Sequence, residues 1–149
     1  MARDLPTRTA DSLRTLTTPA VDVWLASASA QGAPYLVPLS LAWVDERVVV
    51  AVEESSVTGR NIVGSGTARG AVGATRDVTM LDLELERAVP VDDDAALGAA
   101  YCAQADWDPR GQAGYVFLVL RPTRVQAWRE VDEMPGRTLL RDGAWLASL

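Results

Sequence analysis

The chain has 149 residues and a formal charge of −6, and its 14 basic residues are all arginine. With no histidine, no lysine and one cysteine, Cys102, it has no Ser-His or Cys-His nucleophile pair, histidine metal site, pyridoxal Schiff base, internal disulfide or cysteine-rich zinc site. An acidic chain without a basic run, a membrane-length apolar stretch or a signal-peptide core at residues 1–6 is expected to be cytoplasmic, with neither nucleic acid nor membrane as a partner.

One domain over 1–149 is expected from length and the lack of any composition break. Residues 1–18 form an N-terminal arm, whose segment 7–16 reads as a short helix with Leu13 and Leu16 on one side and Pro19 beyond its end. Residues 21–29 read as a strand, followed by a Gln31-Gly32 turn. Residues 35–44 form the second strand, with Pro38 in its middle. Proline removes a ladder donor, so this stretch is an edge, a bulge, or a place where backbone faces a ligand. After an Asp45-Glu46 turn, residues 47–52 are a third strand rich in valine.

The next stretch is the most informative. Glu53-Glu54-Ser55-Ser56-Val57-Thr58-Gly59-Arg60-Asn61 is crowded with hydroxyls and holds one arginine, and residues 57–63 read as a helix. Ser and Thr there are ordinary caps. A strand that also delivers hydroxyls, free N–H groups and an arginine to a helix N-terminus is suited to hold an anion. Gly64-Ser65-Gly66-Thr67-Ala68-Arg69-Gly70 follows as a connecting turn. It is not a dinucleotide fingerprint, because Arg69 stands at the third glycine and a helix, not a strand, precedes it.

Residues 71–74 begin a fourth strand, interrupted at Thr75-Arg76-Asp77, and 78–91 form a fifth in which Leu81, Leu83 and Leu85 alternate with Met80, Asp82, Glu84 and Glu86. Asp92-Asp93-Asp94 precedes an alanine-rich helix at 95–105, where acidic residues complement the helix dipole. Cys102 reads as a small buried residue of that helix. A polar loop carries Trp107, strands follow at 115–120 and 125–130, and Asp142-Gly143 marks a hairpin in the tail. Antiparallel spacing with short turns predicts a mostly β, α+β architecture: a split β-barrel of six to eight strands with flanking short helices.

These segments, in this order, resemble the pyridoxamine 5′-phosphate oxidase-like, flavin-binding split β-barrel superfamily, in particular its small flavin- or deazaflavin-dependent oxidoreductases. The resemblance spans residues 21–145 and is carried by Tyr35-Leu36-Val37-Pro38-Leu39-Ser40 after the Gln-Gly turn, by Ser55 to Asn61, by Gly73-Ala74-Thr75-Arg76-Asp77-Val78, and by Gly136 to Gly143. It implies a homodimer with cofactor sites at the subunit interface. The backbone of Val37, Pro38, Leu39 and Ser40 would lie along the flavin ring. The third strand and following turn, with Ala51, Glu53, Ser55 and Asn61, would hold ribityl and phosphate groups. Ser56, Thr58 and Arg60 are the phosphate candidates by position. Many relatives carry Arg or Lys where this chain has Ser56 and Thr58, so charge neutralisation here rests on Arg60 and helix N–H groups. Arg76 would lie near the cofactor, or else form an ion pair with Asp77, and Trp107 would wall the site. The other tryptophans, 24, 43, 128 and 145, are expected in the core or the dimer interface.

The function expected is hydride transfer between a bound cofactor and an unidentified small-molecule substrate. FMN is the first choice and F420 the alternative, since the acidic F420 tail needs a basic groove and only Arg3, Arg8 and Arg14 are at hand. No general acid or base is assigned; Tyr35, Glu53 and Asp106 are undistinguished candidates. Oxidation of pyridoxamine phosphate would need a second basic cluster that is not apparent. The other class is a non-catalytic flavin- or small-molecule-binding barrel, with haem disfavoured by the absence of histidine.

Overall fold

The computed structural model describes residues 1–148. Its elements are α1 (Leu5–Leu16), β1 (Asp22–Ala28), β2 (Pro34–Ser40), β3 (Ala42–Val44), β4 (Arg47–Glu53), α2 (Val57–Ser65), β5 (Thr67–Val72), β6 (Val78–Pro90), α3 (Ala95–Gln104), β7 (Tyr115–Trp128), β8 (Thr138–Arg141) and β9 (Ala144–Trp145). A single 3₁₀ turn, Val131–Glu133, follows β7. The strands form one antiparallel sheet in the order β2-β1-β5-β6-β7-β4-β3, with β8 also on β7 and β9 on β8. The mostly β, split-barrel expectation holds, with nine strands among the described residues.

The predicted second strand is two. Up to Ser40 it pairs with β1; from Ala42 it pairs with β4. Leu41 between them is fully buried, and its N–H bonds the Val21 carbonyl at 3.1 Å. Because β2 and β3 lie at opposite ends of the sheet order, this one residue carries the chain from one edge to the other and closes the barrel. Pro38 stands opposite Trp24 in β2, whose strand partner is β1 alone. The missing donor therefore falls on an edge strand.

β4 is buried on both faces, which explains its unbroken run of valines. Val48, Val50 and Val52 point into the barrel with Leu25, Leu81 and Leu118. Val49 and Ala51 point the other way, under α3, against Leu97, Tyr101, Phe117 and Val119. These two clusters are the core, and they are largely aliphatic. None of the five tryptophans is fully buried: Trp43 and Trp145 pack, partly buried, against the barrel cluster and Trp107 against the cluster under α3, while Trp24 is 52% exposed.

Two other boundaries differ from the sequence reading. The strand predicted at 71–74 begins at Thr67, because Gly66 at φ 74° caps α2 and releases the chain directly into β5. The two predicted strands at 115–120 and 125–130 are one, β7, in which Pro122 is accommodated where the β6 register shifts between Asp82 and Leu83. The alternation along β6 is as expected, with Leu81 and Leu83 buried.

α1 is held by polar groups where the sequence suggested a leucine stripe. Its buried face is Arg8, Thr9, Ser12 and Leu16. The Arg8 guanidinium, 4% exposed, donates to the carbonyls of Ala127 (3.3 Å), Glu133 (3.1 Å), Gly136 (3.1 Å) and Arg3 (3.2 Å). Arg3 donates to the Glu133 carboxylate at 2.7 and 2.9 Å and to Asp11 at 3.0 Å. That bonding holds the buried Glu133 carboxyl down at about 2. Arg14 pairs with Asp11 at 2.8 Å. Arg3 and Arg8 thus dock the arm, while Arg14 stays exposed on α1 beside Asp11, so the three do not form a free basic groove. Among the described residues no helix is long and apolar enough to cross a membrane.

Candidate functional site

A cleft of about 430 Å³ opens beside the β2 edge. One wall is β2, through Tyr35, Val37 and Leu39. Strand alternation sends these three side chains to the cleft and Leu36 and Pro38 to the other face. The floor is the end of β4, Ala51, Val52 and Glu53. The opposite wall is Trp107 and Tyr115, packed edge to face with ring centroids 5.7 Å apart. Ser56, Val57 and Thr58, at the start of α2, close one end.

The local fold of that end follows from its residues. Ser56 is the N-cap: its Oγ accepts from Gly59 N at 3.1 Å and donates to the Glu53 carbonyl at 2.6 Å. Its hydroxyl is occupied as a cap. Gly59 lets α2 settle onto the end of β4, since a Cβ there would stand 2.7 Å from the carbonyl oxygens of both Glu53 and Glu54. The amides of Val57 and Thr58 lie in the first turn, where no carbonyl of the helix can accept from them. Thr58 is 4% exposed and lines the cleft. A threonine hydroxyl at the lining beside two free amides is a set of donors suited to an oxyanion.

The remaining predicted residues separate. Of the thirteen positions proposed for the cofactor, Val37, Leu39, Ala51, Glu53, Ser56, Thr58 and Trp107 line the cleft. Pro38 lies on the outer face of β2, and Ser55 is exposed in the turn before α2. Ser40 Oγ donates to Asp106 Oδ1 at 3.0 Å. Asn61 Nδ2 donates to Ser27 Oγ at 3.2 Å and ties α2 to β1. Arg60 is exposed, outside the lining, and has no ion-pair partner among the described residues. Arg76 pairs with Glu130 at 2.8 Å, not with Asp77, which faces Arg129 at 3.2 Å. Within one chain Arg76 does not line the cleft.

Glu53 is the one charged side chain in the lining, so anion binding at the α2 end relies on amides and a hydroxyl. Of the undistinguished acid-base candidates, Tyr35 and Glu53 line the cleft, and Asp106 is spent on Ser40.

Sequence reading missed Tyr115 and Tyr101. Tyr115 faces Glu53 across the β4–β7 ladder, a pairing that needs the register. Tyr101 is fully buried in α3; its hydroxyl accepts from Trp107 Nε1 at 2.9 Å and donates to the Ser40 carbonyl at 3.3 Å. Burial pushes its phenol up to about 12. Cys102 is half-buried, and its thiol, raised chiefly by burial, donates to Asp108 Oδ1 at 3.3 Å. Among the described residues no cluster of three or more Cys, Asp or Glu is placed to hold a metal ion.

No family model matches the sequence, and no curated protein matches it. Solved structures do. An F420 reductase aligns with a TM-score of 0.62 at 21% identity, over 75% of this chain and 94% of that one. A haem-binding protein from Mycobacterium smegmatis aligns at 0.61 and 18% identity, over 93% of this chain and 57% of that one. A Listeria innocua protein named as a candidate pyridoxamine 5′-phosphate oxidase aligns at 0.62 and 9% identity, over 81% and 98%. Identities this low bear on fold alone. The chain therefore shares the split β-barrel fold of proteins whose names include an F420 reductase, a pyridoxamine phosphate oxidase-like protein and a haem binder.

Proposed function

We propose that this chain is an oxidoreductase that binds FMN in the cleft between β2, the α2 N-terminus and Trp107, and that a second copy completes the protein. The observation that carries the reading is the α2 end of the cleft, where Thr58 lines the opening beside the free amides of Val57 and Thr58 in the first helical turn. A phosphate accepts hydrogen bonds from the Thr58 hydroxyl and both amides and gains from the helix dipole. The apolar and aromatic remainder suits a flat ring, and the volume lies in the range of small-molecule sites.

FMN, when bound, supplies the hydride chemistry. The chain's part is to hold and shield. Val57 and Thr58 would hold the phosphate end on the helix that Ser56 caps, while Val37 and Leu39 of β2 and Trp107 would flank the ring and keep water out. Glu53 stands at the cleft as the side chain able to take up a proton.

FMN is favoured over F420 because the arginines that were candidates for an acidic tail are engaged: Arg3 and Arg8 are nearly buried in the α1 docking cluster, and Arg14 pairs with Asp11. The second copy is supported by the outer face of β1 and β2. There Trp24 and Leu36, 52% and 61% exposed, border an apolar groove of about 400 Å³ with Ala26, Ala71 and Met80. Exposed apolar surface of this kind marks interfaces.

Titration of the protein with FMN, followed by reduction with a nicotinamide donor and reoxidation by an acceptor, tests the reading. Binding with turnover supports it. Binding without turnover favours a second reading, a non-catalytic carrier, which draws on the haem-binding neighbours and on the absence of a close acid-base pair in the lining.

A further inference from the structure

We propose that Tyr101 is the positioning residue of the cleft: its single hydroxyl braces the two walls against each other and fixes the width of the slot. The choice of a flat ring as occupant rests on the function proposed above; the brace itself rests on geometry. Trp107 makes one wall, and its indole N–H is held by the Tyr101 oxygen at 2.9 Å. β2 makes the other, and its last residue, Ser40, receives the Tyr101 proton on its carbonyl at 3.3 Å. A phenol has one proton to give and lone pairs to accept with, so both bonds form at once. The same hydroxyl therefore touches both sides of the opening while lying outside it.

The brace is rigid. Tyr101 is fully buried, and its ring lies against Phe117 with centroids 5.1 Å apart, itself fully buried. A second clasp runs parallel to it, from Ser40 Oγ to Asp106 Oδ1 at 3.0 Å, on the residue preceding Trp107. Trp107 is further steadied by Tyr115. A phenylalanine at 101 would fill the same core space, so the hydroxyl is accounted for by these two bonds. A slot whose walls are fixed before binding admits a planar ring without paying to order them, and it disfavours thicker ligands.

The test uses the full chain with Tyr101→Phe, Trp107→Phe and the double variant. In ¹⁵N-labelled protein without ligand, the Trp107 indole N–H cross-peak, identified by its loss in Trp107→Phe, is expected to move in Tyr101→Phe and to exchange faster with solvent. Titration with FMN is expected to show a Kd raised about tenfold in Tyr101→Phe, the size of one hydrogen bond. The double variant is expected to bind no more weakly than Trp107→Phe alone, because Tyr101 acts through the indole. A uniform loss of stability would instead add to the effect of Trp107→Phe. An unmoved indole cross-peak, or additive losses in the cycle, overturns the proposal. Failure of the parent protein to bind FMN overturns the proposed function and leaves the brace to be decided by the cross-peak.

Discussion

Replacing Thr58 by valine should weaken cofactor binding and leave stability nearly unchanged. The substitution keeps the branched shape and removes only the hydroxyl. Thr58 lines the cleft, and its hydroxyl is not one of the buried polar atoms left without a partner. In the free protein the hydroxyl carries no buried-unpaired penalty, so its removal should change stability by less than about 1 kcal/mol. The free variant should therefore melt within a few degrees of the parent. With phosphate bound, the same hydroxyl becomes a donor to a charged oxygen, an interaction of about 1.5–3 kcal/mol. FMN affinity should fall by roughly 10- to 150-fold, while riboflavin, which lacks the phosphate, should bind parent and variant alike. Fluorescence titration with both ligands and a thermal melt without them are sufficient. A free variant destabilised by more than about 1 kcal/mol would show that the hydroxyl has a structural partner. Equal FMN affinity would show that the α2 end holds no phosphate.

Other expectations follow from the same structure. Gly59→Ala should destabilise the fold, because overpacking against the Glu53 and Glu54 carbonyls costs about 1–3 kcal/mol and outweighs the ~1 kcal/mol helix-propensity gain; a higher denaturant midpoint would contradict this. Glu133 is held at about 2 by Arg3, below its ordinary value of 4.5, so it stabilises above the ordinary value and that stability is lost as pH falls from about 4.5 to 2. The loss should approach about 3 kcal/mol, and Glu133→Gln should flatten this part of the pH–stability curve. Arg60→Ala should weaken FMN binding less than Thr58→Val does, since Arg60 is exposed and outside the lining; competition titrations give the ranking. Leu36→Asp should convert a dimer to monomer in sedimentation velocity, with the melting temperature of the isolated chain little changed; a parent that is already monomeric would refute the second copy.

Much of the fold was legible where side-chain chemistry is local. The valine run of β4, the leucine alternation of β6, the Ser56 cap and the Asp94 cap, whose carboxylate accepts from Leu97 N at 3.0 Å, all follow from short-range rules. The break at Leu41 was not legible, because it depends on which strand each half of 35–44 pairs with. The same holds for the unbroken β7, where Pro122 reads as a strand end until the β6 bulge is known. At the candidate site, Val37, Leu39, Ser56, Thr58 and Trp107, singled out by the sequence, line one cleft at the end of the hydroxyl-rich turn. Arg76, Asn61 and Ser40 were assigned by position along the chain, and their side chains are engaged by Glu130, Ser27 and Asp106, partners far away in sequence. Arg8 was the largest surprise, since a buried guanidinium whose Nη atoms donate to four carbonyls while its Nε has no partner leaves no local pattern.

The visible absorption spectrum of the protein, purified from a host that makes flavins, F420 and haem and then titrated with FMN, tests the central claim most directly. The account predicts isoalloxazine absorption that saturates at one FMN per chain and weakens in Thr58→Val. A deazaflavin or haem spectrum, or a colourless protein that takes up no FMN, would contradict it.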